Sequence, residues 1–322
     1  MSIPYATGLH QIAPATYAYL QPNGSWGWSN SGLVIASDEL LLVDTLFTTG
    51  LTRAMLEAIQ RSFPNAVIRT VVNTHGDGDH WWGNQLLPDA RIIASAAAAE
   101  EMRGEGPQFL RAFGAGENGP DLPELAPLLA PFDFTDVTLT YPNTTFHSQL
   151  DVRVGPRTVH LIEVGPAHTA GDVLVYVPDE RVVFTGDILF IGGHPVVHTG
   201  PVEHWISACE LILGLDVDVV VPGHGPVIGK PEVVRFRDYL RRLHDHAVTA
   251  HQQGKTVLQA VREFDLEALA DLGNPERLLL SIGAVYRQLN GDGTPAAWEL
   301  WRGVPALARE LNREAANDPS TG

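Results

Sequence analysis

The chain reads as an α/β domain, strands and helices mixed along its length, followed by a helical extension. Three observations predict this. Short β-branched runs each end in a turn that carries His or Asp, apolar residues recur at helical spacing between such runs, and the texture beyond Pro231 is helical throughout.

Residues 8–45 read as paired strands, 16–20, 32–36 and 40–43, with Ser37-Asp38-Glu39 as the turn between the last two. Residues 52–63 carry helical apolar spacing, stopped by Pro64-Asn65. Val67-Ile68-Arg69-Thr70-Val71-Val72 is short and β-branched, as a buried strand is. A helix is expected over 80–87, with Asp79 near its N-terminus, where a carboxylate is favoured. Ala96 to Ala99 reads as ordinary helix. Residues 101–131 are rich in Gly and Pro, centred on Gly114-Ala115-Gly116-Glu117-Asn118-Gly119-Pro120. A connection of that length suggests a flap near a site, with a passive surface insert as the alternative. Strands resume near Phe146 and run to Phe184; a helix over 202–213 and a strand over 217–221 complete the core. Helices are then expected over 233–253, over 256–270, and from Asn274-Pro275 through Leu289. The chain therefore divides into a mixed α/β part, 1–230, and a helical extension, 231–322. The extension would dimerise, cover a pocket or cap the core.

The stretch Thr74-His75-Gly76-Asp77-Gly78-Asp79-His80 places four side chains able to hold metal within six residues, directly after a strand. Its two glycines let the backbone turn sharply, so that side chains which would otherwise diverge can converge. Imidazole and carboxylate together suit divalent zinc, manganese or iron. A polar surface turn would explain any one of the four, but not all of them. Three later segments repeat the device of a strand ending in a ligand: Gly165-Pro166-Ala167-His168-Thr169, Thr185-Gly186-Asp187 and Pro222-Gly223-His224-Gly225. His244, His246 and His251 lie among charges at helical spacing and read as a solvated face.

In this order, His-x-x-x-Asp-His, Gly-x-x-His-Thr, Thr-Gly-Asp and Pro-Gly-His-Gly resemble the metallo-β-lactamase superfamily, over residues 9–245. The resemblance implies a four-layer αβ/βα sandwich of two mixed sheets faced by helices. It implies two divalent metal ions, zinc first, with manganese or iron as alternatives. His75 and His168 would hold the first, Asp79, His80 and His224 the second, and Asp187 would bridge them. Asp44 stands where the family places a buried carboxylate that orients a ligand. The chain departs from the usual His-x-His-x-Asp-His at Asp77, which replaces the second His. Direct ligation by Asp77 is the preferred reading, with a water filling the gap as the other. Three ligand carboxylates against two divalent ions would leave a bound water less acidic and shift preference toward manganese or iron.

Composition narrows the partners. A formal charge of −17 argues against nucleic acid, whose binding neutralises phosphates with Lys and Arg. No apolar run approaches the roughly 18 residues that span a bilayer. The start lacks a secretory pattern and the single cysteine, Cys209, forbids an internal disulfide, so a cytoplasmic setting is expected.

The remaining readings concern the substrate. Trp26 and Trp28 lie in a loop that, in the resembled family, overhangs the metals; with Trp81 they suggest an apolar or aromatic wall, and Asn30 offers polar contacts. His194 and His198 follow Asp187 closely enough to face a pocket, as oxyanion donors or proton shuttles. The expected chemistry is hydrolysis of an ester, thioester or lactone carbonyl of a small molecule by a hydroxide held between the metals. Asp79 would orient the hydroxide, with Asp77 beside it. The alternatives are a polyketide-type cyclase of the same superfamily, a di-iron redox enzyme, a β-lactamase and a non-enzymatic relative.

Overall fold

The computed structural model describes residues 3–113, 123–291 and 293–317. Among them, two mixed sheets carry the architecture. The first has seven strands in sequence order: β1 (Gly8–Ala13), β2 (Thr16–Leu20), β3 (Ser31–Ala36), β4 (Glu39–Val43), β5 (Val67–Val72), β6 (Arg91–Ser95) and β7 (Thr144–Phe146). It is antiparallel from β1 to β4 and parallel from β4 to β7. The second comprises β8 (Gln149–Val154), β9 (Arg157–Glu163), β10 (Val173–Val177), β11 (Val182–Phe184) and β12 (Val219–Val221), in the order β12-β11-β10-β9-β8. There only β11 and β12 run parallel.

The alternation of side chains along each strand builds the layers. Leu41 and Val43 of β4 meet Val159, Leu161, Val173 and Val175 of the second sheet in one apolar cluster, so the sheets pack face to face. The intervening Leu40 and Leu42 point the other way, onto Met55 and Ile59 of helix α1 (Thr49–Ser62). Thr48 caps α1, its side chain accepting from the Leu51 amide. On the outer face of the second sheet, Leu174, Val183 and Val220 lie against the C-terminal helices. Helix, sheet, sheet and helix make the four-layer sandwich that the motifs implied.

Helix α2 (Gly78–Trp81) starts two residues earlier than its expected position and passes into a 3-10 turn, Trp82–Leu86. Gly78 is required there: a Cβ would stand 2.4 Å from the Trp82 indole. The described residues of the insert after β6 are largely helical, with α3 (Ala96–Gly104), α4 (Gly106–Ala112), a 3-10 turn Pro123–Leu125 and α5 (Ala126–Leu129). Its expected centre, 114–120, lies outside the described residues.

Beyond β11 come α6 (Val202–Gly214), α7 (Lys230–Gln252), α8 (Val257–Arg262), α9 (Leu278–Asn290) and α10 (Ala297–Asn317). The helix expected over 256–270 ends at Arg262, and only a 3-10 turn, Glu267–Leu269, follows it. Trp205 of α6, Leu240 of α7, Ile282 of α9 and Val304 of α10 share one core, so the extension caps the second sheet. No described helix is long and apolar enough to cross a membrane.

Candidate metal centre

The ligand residues converge because several strands end at the same edge of the sandwich. β4 runs into Asp44, whose backbone is left-handed (φ 62°) and whose carboxylate is buried. One Asp44 oxygen accepts from the Thr74 amide at 2.7 Å; the other accepts from the Thr74 hydroxyl at 2.8 Å and from His80 Nδ1 at 2.9 Å. With its hydroxyl proton on Asp44, Thr74 Oγ1 accepts from His75 Nδ1 at 2.9 Å. His168 Nδ1 donates to the Val196 carbonyl at 2.6 Å, and His224 Nδ1 donates to the Trp28 carbonyl at 3.1 Å. Every Nδ1–H has an acceptor, so Nε2 is the atom left to coordinate in all four histidines.

The candidate ligand atoms fall into two groups, each within 4.8 Å: His75, Asp77, His168 and Asp187, and then Asp79, His80 and His224. Asp187 joins them. One of its oxygens lies 3.2 Å from His80 Nε2, and the other lies 3.3 Å from His224 Nε2 and 3.5 Å from His168 Nε2. Asp77 Oδ2 is 3.1 Å from His168 Nε2 and 3.9 Å from His75 Nε2, and Asp79 Oδ2 is 3.3 Å from His224 Nε2. His75 Nε2, His80 Nε2 and Asp187 Oδ1 are buried with no hydrogen-bond partner among the described residues. Three orphaned polar atoms in one place are costly unless something binds them. With imidazole and carboxylate as the donor set, divalent cations fit. Gly223 permits the approach: a Cβ there would stand 1.9 Å from Asp187 Oδ1.

The charges respond to one another. Burial, with His80 alongside, holds His75 down at about 3. Burial also opposes charge on His168, but the hydrogen bond and charge of Asp77 outweigh it and push His168 up to about 9. His80 and His224 are raised too, since Asp187 and Asp79 outweigh their burial. Asp187 is held well below the carboxylate range by His224 and His80 in spite of burial, and Asp77 by His198 and His168. The metal-free protein therefore holds protons on His80 and His168 at neutral pH, and cations must displace them. Loading at pH 7 should release more than one proton per chain, and affinity should rise with pH toward about 9, where His168 loses its proton unaided. Indicator-dye titration in weak buffer measures this; release of no protons would show that these histidines are neutral before loading.

An apolar-walled cavity opens onto the cluster and is lined by Asp77, Asp79, His168, Asp187 and His224. Trp26 lies on its wall, as does His198, whose Nε2 donates to Asp77 at 3.0 Å. The other expected pocket residues are elsewhere. Trp81 is fully buried; its indole donates to the Gly76 carbonyl at 2.8 Å and packs on Tyr141, so it braces the ligand turn from behind. Trp28 lends His224 its carbonyl and packs its ring on Phe132, at 5.0 Å. Asn30 is buried and donates to the Pro222 and Gly225 carbonyls, holding the His224 loop in place. His194 is buried away from the cavity and shares a hydrogen bond with the Tyr239 hydroxyl at 2.7 Å.

The wall also uses residues that the sequence reading passed over: Phe47, Phe109, Phe190, Arg277 and Trp301. Phe190 lies parallel to the His224 ring at 5.1 Å. A signal existed for two of them. Phe190 sits in an apolar run directly after Asp187, and Arg277 is a lone cation at the head of the apolar Leu278-Leu279-Leu280. Trp301 shows that the helical extension covers the pocket as well as capping the core.

The 2,4-dinitroanisole O-demethylase subunit alpha of Nocardioides sp. is 28% identical over 188 residues, covering 58% of this chain and 49% of the relative. A linear primary-alkylsulfatase of Pseudomonas sp. is 26% identical over 263 residues, covering 73% of this chain and 49% of that one. The chain thus spans about half the length of these curated relatives. Among solved structures, a stereoselective inverting sec-alkylsulfatase from Pseudomonas sp. superposes with a TM-score of 0.69 at 20% identity, covering 90% of this chain and 51% of its own. At that identity the likeness concerns the fold. Residues 24–224, which span the ligand set from the overhanging loop to its last histidine, match the metallo-beta-lactamase superfamily, and the chain belongs to it.

Proposed function

We propose that the chain is a metal-dependent hydrolase that cleaves an ester-type bond of an apolar or aromatic small molecule, using two divalent cations, zinc by preference. The observation that carries this reading is the cavity that joins the ligand cluster to aromatic and aliphatic walls. When bound, such cations polarise the scissile group and lower the pKa of water. The chain's own residues do the rest. Asp187 sits between the two groups and fixes their separation, and Asp79 faces His224 on the second side. His198 is stacked on Trp301 at 5.8 Å and 20°, which sets its ring plane. Its Nε2, beside Asp77, is the atom placed to hand a proton to a leaving group. Phe109 and Trp301 exclude water around the bond.

A carbonyl ester, thioester or lactone is the first reading for the bond. A sulfate ester is the second, supported by the relatives named as alkylsulfatases. The test is turnover of naphthyl acetate, an acyl thioester, an aromatic lactone and dodecyl sulfate by protein of measured metal content. Turnover that is lost on chelation and restored by zinc is expected. Fully loaded protein inert on all four would overturn the reading.

A further inference from the structure

We propose that Arg277 forms an oxyanion-binding subsite in the wall of the cavity, and that the substrate carries a carboxylate or sulfate group that Arg277 holds.

Arg277 opens α9 and is 1% exposed, yet it lines the cavity beside Asp79, Asp187 and His224. Its Nη1 donates to the His194 carbonyl at 3.1 Å. Its Nε is buried with no partner, and it forms no ion pair among the described residues. Glu276, the adjacent carboxylate, uses Oε1 to accept from the Trp26 indole at 2.7 Å and the Asn274 amide at 3.3 Å. Aromatic rings hold the guanidinium: its carbon lies 4.6 Å from the Trp26 ring centre and 5.5 Å from that of Phe190. Such stacking fixes the plane of the group but supplies no counter-charge.

A buried charge without a paired anion is costly, and the cost is recovered when a ligand supplies the acceptor. Burial lowers Arg277 to about 10 against the opposing charges of Glu276, Asp187 and Asp79, none of which pairs with it directly, and leaves it charged at neutral pH. Its position relative to the cluster is suited to a substrate. Phe190 touches both Arg277 and, through ring stacking, the ligand His224, so one aromatic ring separates the cation from the metal side. The rest of the wall near it, Trp26 and Trp301, is aromatic and suits an apolar body. An anionic group at Arg277 would therefore set how far a substrate enters and which bond meets the cluster.

The proposal rests on the cavity being the substrate site, and its test reads binding, so it does not depend on turnover. 1-Naphthoate, 1-naphthalenesulfonate and the neutral 1-naphthamide are titrated into zinc-loaded protein, following tryptophan fluorescence. At least one anion should bind roughly tenfold to a hundredfold more tightly than the amide. In R277Q that ratio should fall toward one, and in R277K part of it should return, at unchanged metal content. The anion preferred by the wild type tells a carboxylate group from a sulfate one. Equal binding of anions and amide by the wild type would overturn the proposal, as would a ratio that survives in R277Q, since the metals would then hold the anion. Chelated wild-type protein provides the check that needs no variant: the preference should persist without metal, and its loss there would equally overturn the subsite. Anion preference without turnover on any ester would sink the hydrolase reading and keep the subsite; turnover without preference would do the reverse.

Discussion

Asp187→Ala should strip the protein of both cations and lower kcat/KM by on the order of a thousandfold or more, since bound metal contributes several kcal/mol to such reactions. The reason is geometric. Among the described residues, Asp187 is the one carboxylate whose oxygens approach His75, His80, His168 and His224, at 3.8, 3.2, 3.5 and 3.3 Å. Without it, each group keeps a single carboxylate, Asp77 in the first and Asp79 in the second, and the one that joins them is gone. The metal-free fold should suffer as well. Asp187 helps hold protons on His80 and His168, and these imidazoles would lose a counter-charge while still buried. Asp77→Ala gives the contrast. Asp77 reaches only the first group, so one cation should be lost and the other kept. Elemental analysis by mass spectrometry reads both variants. Two ions retained in Asp187→Ala would sink the bridging role, and two retained in Asp77→Ala would assign that position to water.

Asp44→Ala should act from outside the ligand set, with nearly as large a result. Three donors end on this buried carboxylate: the Thr74 amide, the Thr74 hydroxyl and His80 Nδ1. Removing it leaves them without an acceptor, at a cost of about 3 kcal/mol in stability. It also frees the rings of two ligands, since His80 is held directly and His75 through the Thr74 hydroxyl. Metal affinity should drop roughly tenfold to a hundredfold. Asp44→Asn should fall between, because an amide offers one acceptor where the carboxylate offers two and turns an N–H toward a donor. Thermal melts of metal-free protein and zinc titration separate the two effects. Affinity within twofold of the parent in Asp44→Ala would remove the orienting role.

Much of this site was legible because its logic is local. A β-branched strand followed by a glycine-bearing turn and then His or Asp is readable within a dozen residues, and it located His75, Asp79, His80, His168, Asp187 and His224 together. Asp77 was legible as a departure, and it lies among the first group. The two sheets were expected only from the resemblance that these motifs carry; in the structure, alternation along β4 sends Leu41 and Leu42 to opposite layers. Helix ends were less secure. Residues 263–270 continue the helical spacing of α8, yet they form only a short 3-10 turn.

The substrate side was not legible in this way. Trp81 follows a ligand directly, but its indole turns inward, where Gly76 offers a carbonyl and Gly106 leaves room; a Cβ at Gly106 would stand 2.9 Å from that ring. His194 and His198 are four residues apart in one loop, yet one meets Tyr239 in the core and the other meets Asp77 at the cavity. Phe47, Phe190, Arg277 and Trp301 come from segments far apart in sequence, and no spacing relates them. The order of residues along the chain therefore decides which atoms can hold metal, because strand ends and glycine turns present them within short range. Which surfaces surround that metal, and where an unpaired cation lies among them, is decided only when the C-terminal helices fold back over the sheets, because burial and contact between distant segments exist in no single stretch of sequence.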